Sequence, residues 1–223
     1  MPTNRQKRAT RIGEILDSLI PDPAVPLRYT SPFTFLIAVL LSAQCTDERV
    51  NAITPQLFAL APTPAEMAKL SINQIHAIIR PCGLGLRKAT AIHQLSKKIS
   101  QEFDGIVPHT FYDLESLPGV GHKTASVILS HLFGLPAFPI DRHIFRSARR
   151  WHLSDGKTVE DVEADLKKLF PKSLWGKRHL QIILYARKYC PALRHNLATC
   201  PICTAVEGRS EASILKTSLL LNF

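Results

Sequence analysis

The chain lacks any apolar stretch long enough to cross a bilayer. Its longest run, Phe33 to Ala43, falls well short of the roughly 20 residues a spanning helix needs. Its basic N-terminus, Met1 to Arg11, has no apolar segment behind it, so no secretory signal is visible and a cytoplasmic protein is expected. Aromatic residues are few, at 7%, and no low-complexity or repeated segment occurs. Period-two alternation of apolar and polar residues is also missing, which argues against strands. Cysteines number only five. Without an export signal, clustered thiols among them read as metal ligands rather than disulfides.

An ordinary globular mix remains, with 45% hydrophobic and 21% charged residues among 223. The net charge is +10 and it is unevenly spread. Residues 27–137 carry a net of +2, whereas 1–26 and 138–223 together carry +8. A strongly basic portion favours an anionic partner, either nucleic acid or an acidic membrane face, with plain solubility as the alternative.

Helical spacing recurs along the chain. Ile12, Ile15, Leu16 and Leu19 form one apolar stripe, ended by Pro21, Pro23 and Pro26. Ser31-Pro32 opens a helix from Phe33, and Thr63-Pro64-Ala65-Glu66 reads as a capping box. Asp47 is expected to cap a helix through Val50, Ile53 and Leu57, and another helix spans Ser71 to Ile79. Leu86 to Phe103 places Ala89, Ile92, Leu95 and Ile99 on one face and its lysines on the other. The fold class expected is all-α, an orthogonal bundle rather than a coiled coil.

The densest stretch begins with a short helix around Asp113 to Ser116 and continues as Leu117-Pro118-Gly119-Val120-Gly121-His122-Lys123-Thr124-Ala125. Gly119 and Gly121, at the start of a helix through Val127, Ile128 and Leu132, suit a tight turn whose outward amides and positive dipole end grip a phosphate. A short helix before such a turn is the helix-hairpin-helix pattern of sequence-independent DNA binding. Lys123 falls in the first turn of the helix, where the dipole disfavours a cation and favours the neutral amine a nucleophile needs. A phosphate contact is the alternative role. Beyond it, Phe138-Pro139-Ile140-Asp141-Arg142-His143-Ile144-Phe145-Arg146 places Asp141 before a helical run, as an N-cap or as a carboxylate available to chemistry. Arg142, Arg146, Arg149 and Arg150 follow within nine residues and cannot all share one face.

Leu117 to Ala125 and Pro139 to Arg146, with Ser31-Pro32-Phe33, Leu40 to Asp47, Gly83-Leu84 and Lys88-Ala89, resemble the endonuclease III branch of the helix-hairpin-helix DNA glycosylases. The resemblance covers residues 8 to 203. It implies two helical domains flanking a DNA-binding cleft: a six-helix bundle at 27–137, and a second domain from 1–26 with 138–223. It also implies a bifunctional glycosylase that flips an oxidised pyrimidine from duplex DNA, releases it, and cleaves the abasic site by β-elimination. A monofunctional glycosylase and a non-catalytic DNA-binding module are the alternatives. Lys123 is then the amine that attacks the sugar, and Asp141 serves proton transfer and stabilises the sugar cation. Gln44 and Leu84 fill the gap and wedge the stack; outside the resemblance they read as a helix-end glutamine and a core leucine. Gly119, Gly121 and His122 contact DNA. No oligomerisation seam is visible, so a monomer is expected.

The family binds a [4Fe–4S] cluster through four cysteines spaced C-x6-C-x2-C-x5-C. Here Cys190, Cys200 and Cys203 remain, the first spacing is nine residues, and the fourth position is Arg209. Three readings stay open: a loop that has lost its metal, a cluster with an unusual fourth ligand, or a zinc site of Cys3His type using His195. Cys45 and Cys82 are no obvious replacements. Other departures are His122, where the family often has Arg or Lys, and Gly85-Leu86, where it often has Tyr-Asn. The apolar tail from Ile214 to Phe223 does not match the family; it is expected to pack over the loop or to be a divergent end.

Overall fold

A computed structural model describes residues 3–206; the tail from Ile214 and Arg209 lie outside the described residues. Among these residues there are twelve α-helices, two short 3-10 turns and no strand. The chain divides into two units, one from Val25 to Leu135 and the other from the residues up to Ala24 together with those from Pro136 onward.

The first unit is organised around α2 (Pro32–Ser42), which packs against α3 (Asp47–Leu60), α6 (Gly85–Glu102) and α8 (His122–Leu132). Phe33 to Leu41 are buried without interruption. A helix that is apolar on every side belongs in a core, and α2 occupies that place. Its start follows the expected logic: Ser31 caps it, Thr34 reciprocates, and Pro32 sits at the first helical position. The Thr63–Glu66 capping box likewise opens α4 (Pro64–Lys69), and Ser71 opens α5 (Ile72–Ile79) by the same device through Gln74. α7 (Phe111–Glu115) precedes the glycine turn.

Two expectations are corrected. Thr46, not Asp47, caps α3, its hydroxyl accepting from the Arg49 amide; Asp47 lies in the first turn, where a carboxylate complements the dipole. The lysines of α6 do not all lie on its outer face: Lys88 is buried.

The second unit joins α1 (Asn4–Leu19) to α9 (Arg142–Arg150), α10 (Val159–Leu169), α11 (Trp175–Lys188) and α12 (Pro201–Val206). Its core holds Ile12, Leu16, Phe138, Trp151 and Tyr185. Arg178, itself buried, ties α11 to α1 through a two-pronged pair with Asp17 at 2.8 and 2.7 Å. Gln181 adds hydrogen bonds from its amide to the Leu16 and Ile20 carbonyls. Together with the shared core, this tie joins into one body segments that are distant in sequence.

Candidate active site and metal-binding loop

The glycine turn is anchored from below and open above. Leu117 and Val120 are buried, while Gly119, Gly121, His122 and Lys123 are exposed. The Val120 amide closes the turn on the Leu117 carbonyl at 3.0 Å. The two glycines have different causes. Gly119 has φ +79°, and an added Cβ would stand 2.8 Å from the Ala91 Cβ and 3.1 Å from Leu40 Cδ1. Backbone shape and the close approach to α6 and α2 therefore both demand glycine there. Gly121 has extended backbone, and an added Cβ would meet nothing within 4 Å. Nothing inside the protein requires that side to stay bare.

Gly121 is the N-cap of α8, and no side chain caps that helix. Its first turn carries no acidic residue but does carry His122 and Lys123. A helix start without a carboxylate, rimmed by basic residues, is poised for an external anion. The His122 ring lies over Phe111, with centroids 5.0 Å apart, and its Nδ1 is 2.7 Å from Glu115 Oε1. The ring that replaces the family's usual Arg or Lys is thus held by α7.

Asp141 belongs to the other unit. It is half-buried and caps α9, Oδ1 accepting from the Ile144 amide at 2.8 Å. The N-cap expectation holds, and the cap fixes the carboxylate in direction. The extended strap before it is also held: His179 Nδ1 donates to the Pro139 carbonyl at 2.8 Å, with both groups buried.

Gln44 and Leu84 share an unusual backbone. Both are non-glycine residues in the left-handed region, at φ 55° and 50°, and both are exposed. Each such residue costs on the order of 1 kcal/mol, so something must hold it. That something is Lys88. Its ammonium donates to the carbonyls of Leu41, Ala43 and Cys82 at 2.8, 2.7 and 2.9 Å, spending all three protons. The first two acceptors lead into Gln44 and the third into Leu84. Burial pushes the Lys88 pKa down, and the three carbonyls compensate the desolvated charge. Sequence reasoning missed this residue, although Lys88 falls on the same stripe as Ile92, Leu95 and Ile99. Beside Leu84, an added Cβ on Gly85 would come within 2.8 Å of the His76 ring. That ring occupies space beside the position where the family often carries Tyr.

In the second unit Cys190, His195, Cys200 and Cys203 converge, each offering one ligand atom, and these atoms all lie within 4.8 Å of one another. Cys190 Sγ and Cys203 Sγ are 3.9 Å apart, and Cys203 Sγ is 3.6 Å from His195 Nε2. The three cysteines are buried and His195 half-buried. Arg150 donates to Cys190 Sγ at 3.2 Å, and Tyr185 Oη lies 3.3 Å from Cys200 Sγ. Arg146 and Arg150 also donate to the Cys190 and Pro191 carbonyls, so two of the four arginines serve the loop while Arg142 and Arg149 are exposed. Such a group can hold a metal. A [4Fe–4S] cube, whose thiolates bind four separate irons, needs its ligands farther apart than this set places them. The cluster that the family resemblance implies does not fit these residues.

A profile of the HhH-GPD superfamily of base excision DNA repair proteins matches residues 37–172. Endonuclease III of Escherichia coli K12 is 39% identical over 211 residues, covering 95% of this chain and 100% of the relative. Endonuclease III of Treponema pallidum is 42% identical over 189 residues, covering 85% and 90%. The chain belongs to the endonuclease III family of this superfamily. Solved structures agree. A non-covalent endonuclease III–DNA complex superposes with a TM-score of 0.86 at 32% identity, covering 98% of this chain and 100% of that one. A trapped endonuclease III–DNA covalent intermediate gives 0.85 at 34% identity, covering 91% and 94%. As an endonuclease III family protein, the chain is a base-excision repair enzyme of the DNA glycosylase/lyase class. Neither the purely binding module nor the monofunctional enzyme is favoured. No helix among the described residues is long and apolar enough to cross a membrane.

Proposed function

We propose that the enzyme acts on duplex DNA as a monomer in the cytoplasm, at the nucleoid, removing oxidised pyrimidines with Lys123 as nucleophile. The observation that carries this is an exposed lysine in the first turn of α8, one residue from the uncapped helix start that suits a phosphate. Gripping the backbone there brings the amine to a sugar rather than to a base. A base inside the stack hides its glycosidic carbon, so the nucleotide must leave the duplex. Gln44 and Leu84, held out by the Lys88 clamp, are suited to occupy and wedge the space it vacates.

The lone pair of Lys123 Nζ forms a bond to C1′ while the glycosidic bond breaks. The base departs with the electron pair and takes a proton. Ring opening converts the adduct to an iminium, which draws in the electrons released when a proton leaves C2′. The bond to the 3′ phosphate then breaks, and hydrolysis returns the lysine. The resemblance gives Asp141, oriented by its cap on α9, the part of balancing the positive charge on the sugar and of proton transfer, for which a fixed carboxylate is suited. No step is routed through the cysteine group, whose place is structural.

Sodium borohydride added to the protein with a duplex carrying one abasic site tests the nucleophile. A covalent adduct that vanishes in Lys123→Ala, with DNA affinity changed less than about tenfold, is the expected result. An equal adduct from the variant removes Lys123 from the reaction.

A further inference from the structure

We propose that Cys190, His195, Cys200 and Cys203 bind a single tetrahedral zinc ion, in place of the iron–sulfur cluster that the family resemblance implies. The spacing decides between one ion and four. A tetrahedron with metal–sulfur bonds of about 2.3 Å has edges of about 3.8 Å, and nitrogen shortens its edges slightly. The observed 3.9 Å between two sulfurs and 3.6 Å from sulfur to nitrogen match those edges. The donor set agrees, since three thiolates and one imidazole are a common structural zinc set with no position left for water.

The ligand order is C-x4-H-x4-C-x2-C, within 14 residues. The histidine lies within the nine-residue first spacing that departs from the family's six. The stretch that destroys one cysteine pattern therefore supplies the missing donor of the other. The remaining two cysteines of the chain are occupied elsewhere: Cys45 and Cys82 lie in the other unit, where their thiols hydrogen-bond each other.

The surroundings fit the charge. Three thiolates and a neutral imidazole around a dication leave one net negative charge. The Arg150 guanidinium, donating to Cys190 Sγ, offsets it, and the Tyr185 hydroxyl donates to Cys200 Sγ while accepting from the Ile202 amide at 2.9 Å. Such outer partners orient the thiolates and shield them. The loop between Cys190 and Pro201 has no helix, and Thr204 Oγ1, whose closest acceptor is the Cys200 carbonyl, is among its few side-chain anchors. An ion joining four points of that loop supplies the order that backbone bonding does not.

The test is metal analysis of the full chain as purified, with labile sulfide measured in parallel, followed by spectra after expression in medium with Co2+ replacing Zn2+. One zinc per chain with neither iron nor sulfide is expected. The cobalt form should show the visible bands of tetrahedral Co(II) with thiolate charge transfer in the near ultraviolet. His195→Asn, a change at a half-buried side chain, should lower affinity at least about tenfold and shift those bands, whereas Cys82→Ser should keep one ion per chain. Four irons and four sulfides per chain would overturn the proposal. So would a folded protein that takes up neither zinc nor cobalt, or a cobalt spectrum unchanged by His195→Asn.

Discussion

Each unit uses buried or half-buried cations to hold a loop, and the two loops differ in what they still need. In the first unit Lys88 has three protons and meets three carbonyls, which leaves the ammonium fully satisfied. In the second, Arg146 and Arg150 reach the Cys190 loop from one side, yet four metal-ligating atoms still crowd together within 4.8 Å. Protein donors and acceptors complete the first loop. In the zinc proposal the second is completed by an ion that takes up the electron pairs of its thiols and imidazole. On that reading one loop is set by folding alone and the other by folding coupled to metal.

The sharpest way to break that comparison is Lys88→Met. Three carbonyls would lose their donor, two of them in fully buried bonds, for a loss of about 3 kcal/mol. Urea denaturation should show the drop with and without a strong chelator. Gln44 and Leu84 would also relax from their left-handed backbone, so lesion processing should fall further than the folded fraction does. A loss of stability that grows with chelator would mean the two units are not independent.

Within the first unit, the two turn glycines should separate. Gly119→Ala meets both a positive φ and the Ala91 Cβ, and should cost about 2 kcal/mol in thermal or urea unfolding. Gly121→Ala enters open space and should leave stability within about 0.5 kcal/mol. Its effect should appear instead as weaker DNA binding with a shallower salt dependence, by about 0.9 in log–log slope for one lost phosphate. Equal losses of stability would remove the argument that Gly121 is bare for a ligand.

These residues show what is legible in a sequence. The all-α class, the helix start at Ser31-Pro32, the capping box at Thr63 and the N-cap at Asp141 followed from local pattern, because caps and stripes are local physics. Lys88 was equally visible on the Ile92–Leu95–Ile99 stripe, but its charge argued for solvent; only three carbonyls brought from elsewhere in the chain make its burial tolerable. The left-handed Gln44 and Leu84 had no signal, since neither residue type favours that backbone. Gly119 and Gly121 read alike although their causes differ. At the cysteine loop, spacing raised zinc among three readings. Convergence of His195 on the thiols depends on a loop path that no periodicity encodes.

Arg150→Met tests the second loop. With metal bound, it removes a charge-assisted bond to Cys190 and should cost about 1–2 kcal/mol in chemical denaturation. With chelator present no ion holds Cys190 in place against the guanidinium, and the cost should shrink. The opposite sign would show that the arginine holds the loop through the Pro191 carbonyl rather than through the metal site.

The smallest effect is the acid response of the tie between α1 and α11. Arg178, with help from Lys177 and Gln181, holds the Asp17 carboxyl well below the usual carboxylate range against the opposing effect of burial. A folded pKa below the unfolded value means the folded state binds the proton less readily. The contribution is therefore fully present above the unfolded value of about 3.9 and is lost as pH falls through the folded one. Asp17 is 42% exposed at its side chain, so solvent screens the pair and limits this pH-dependent part to about 1 kcal/mol or less. Asp17→Asn should flatten the stability profile below about pH 4. It should also lower stability at neutral pH, because Arg178 is left buried with a weaker partner. A profile as steep in the variant as in the wild type would place the acid sensitivity on other carboxylates.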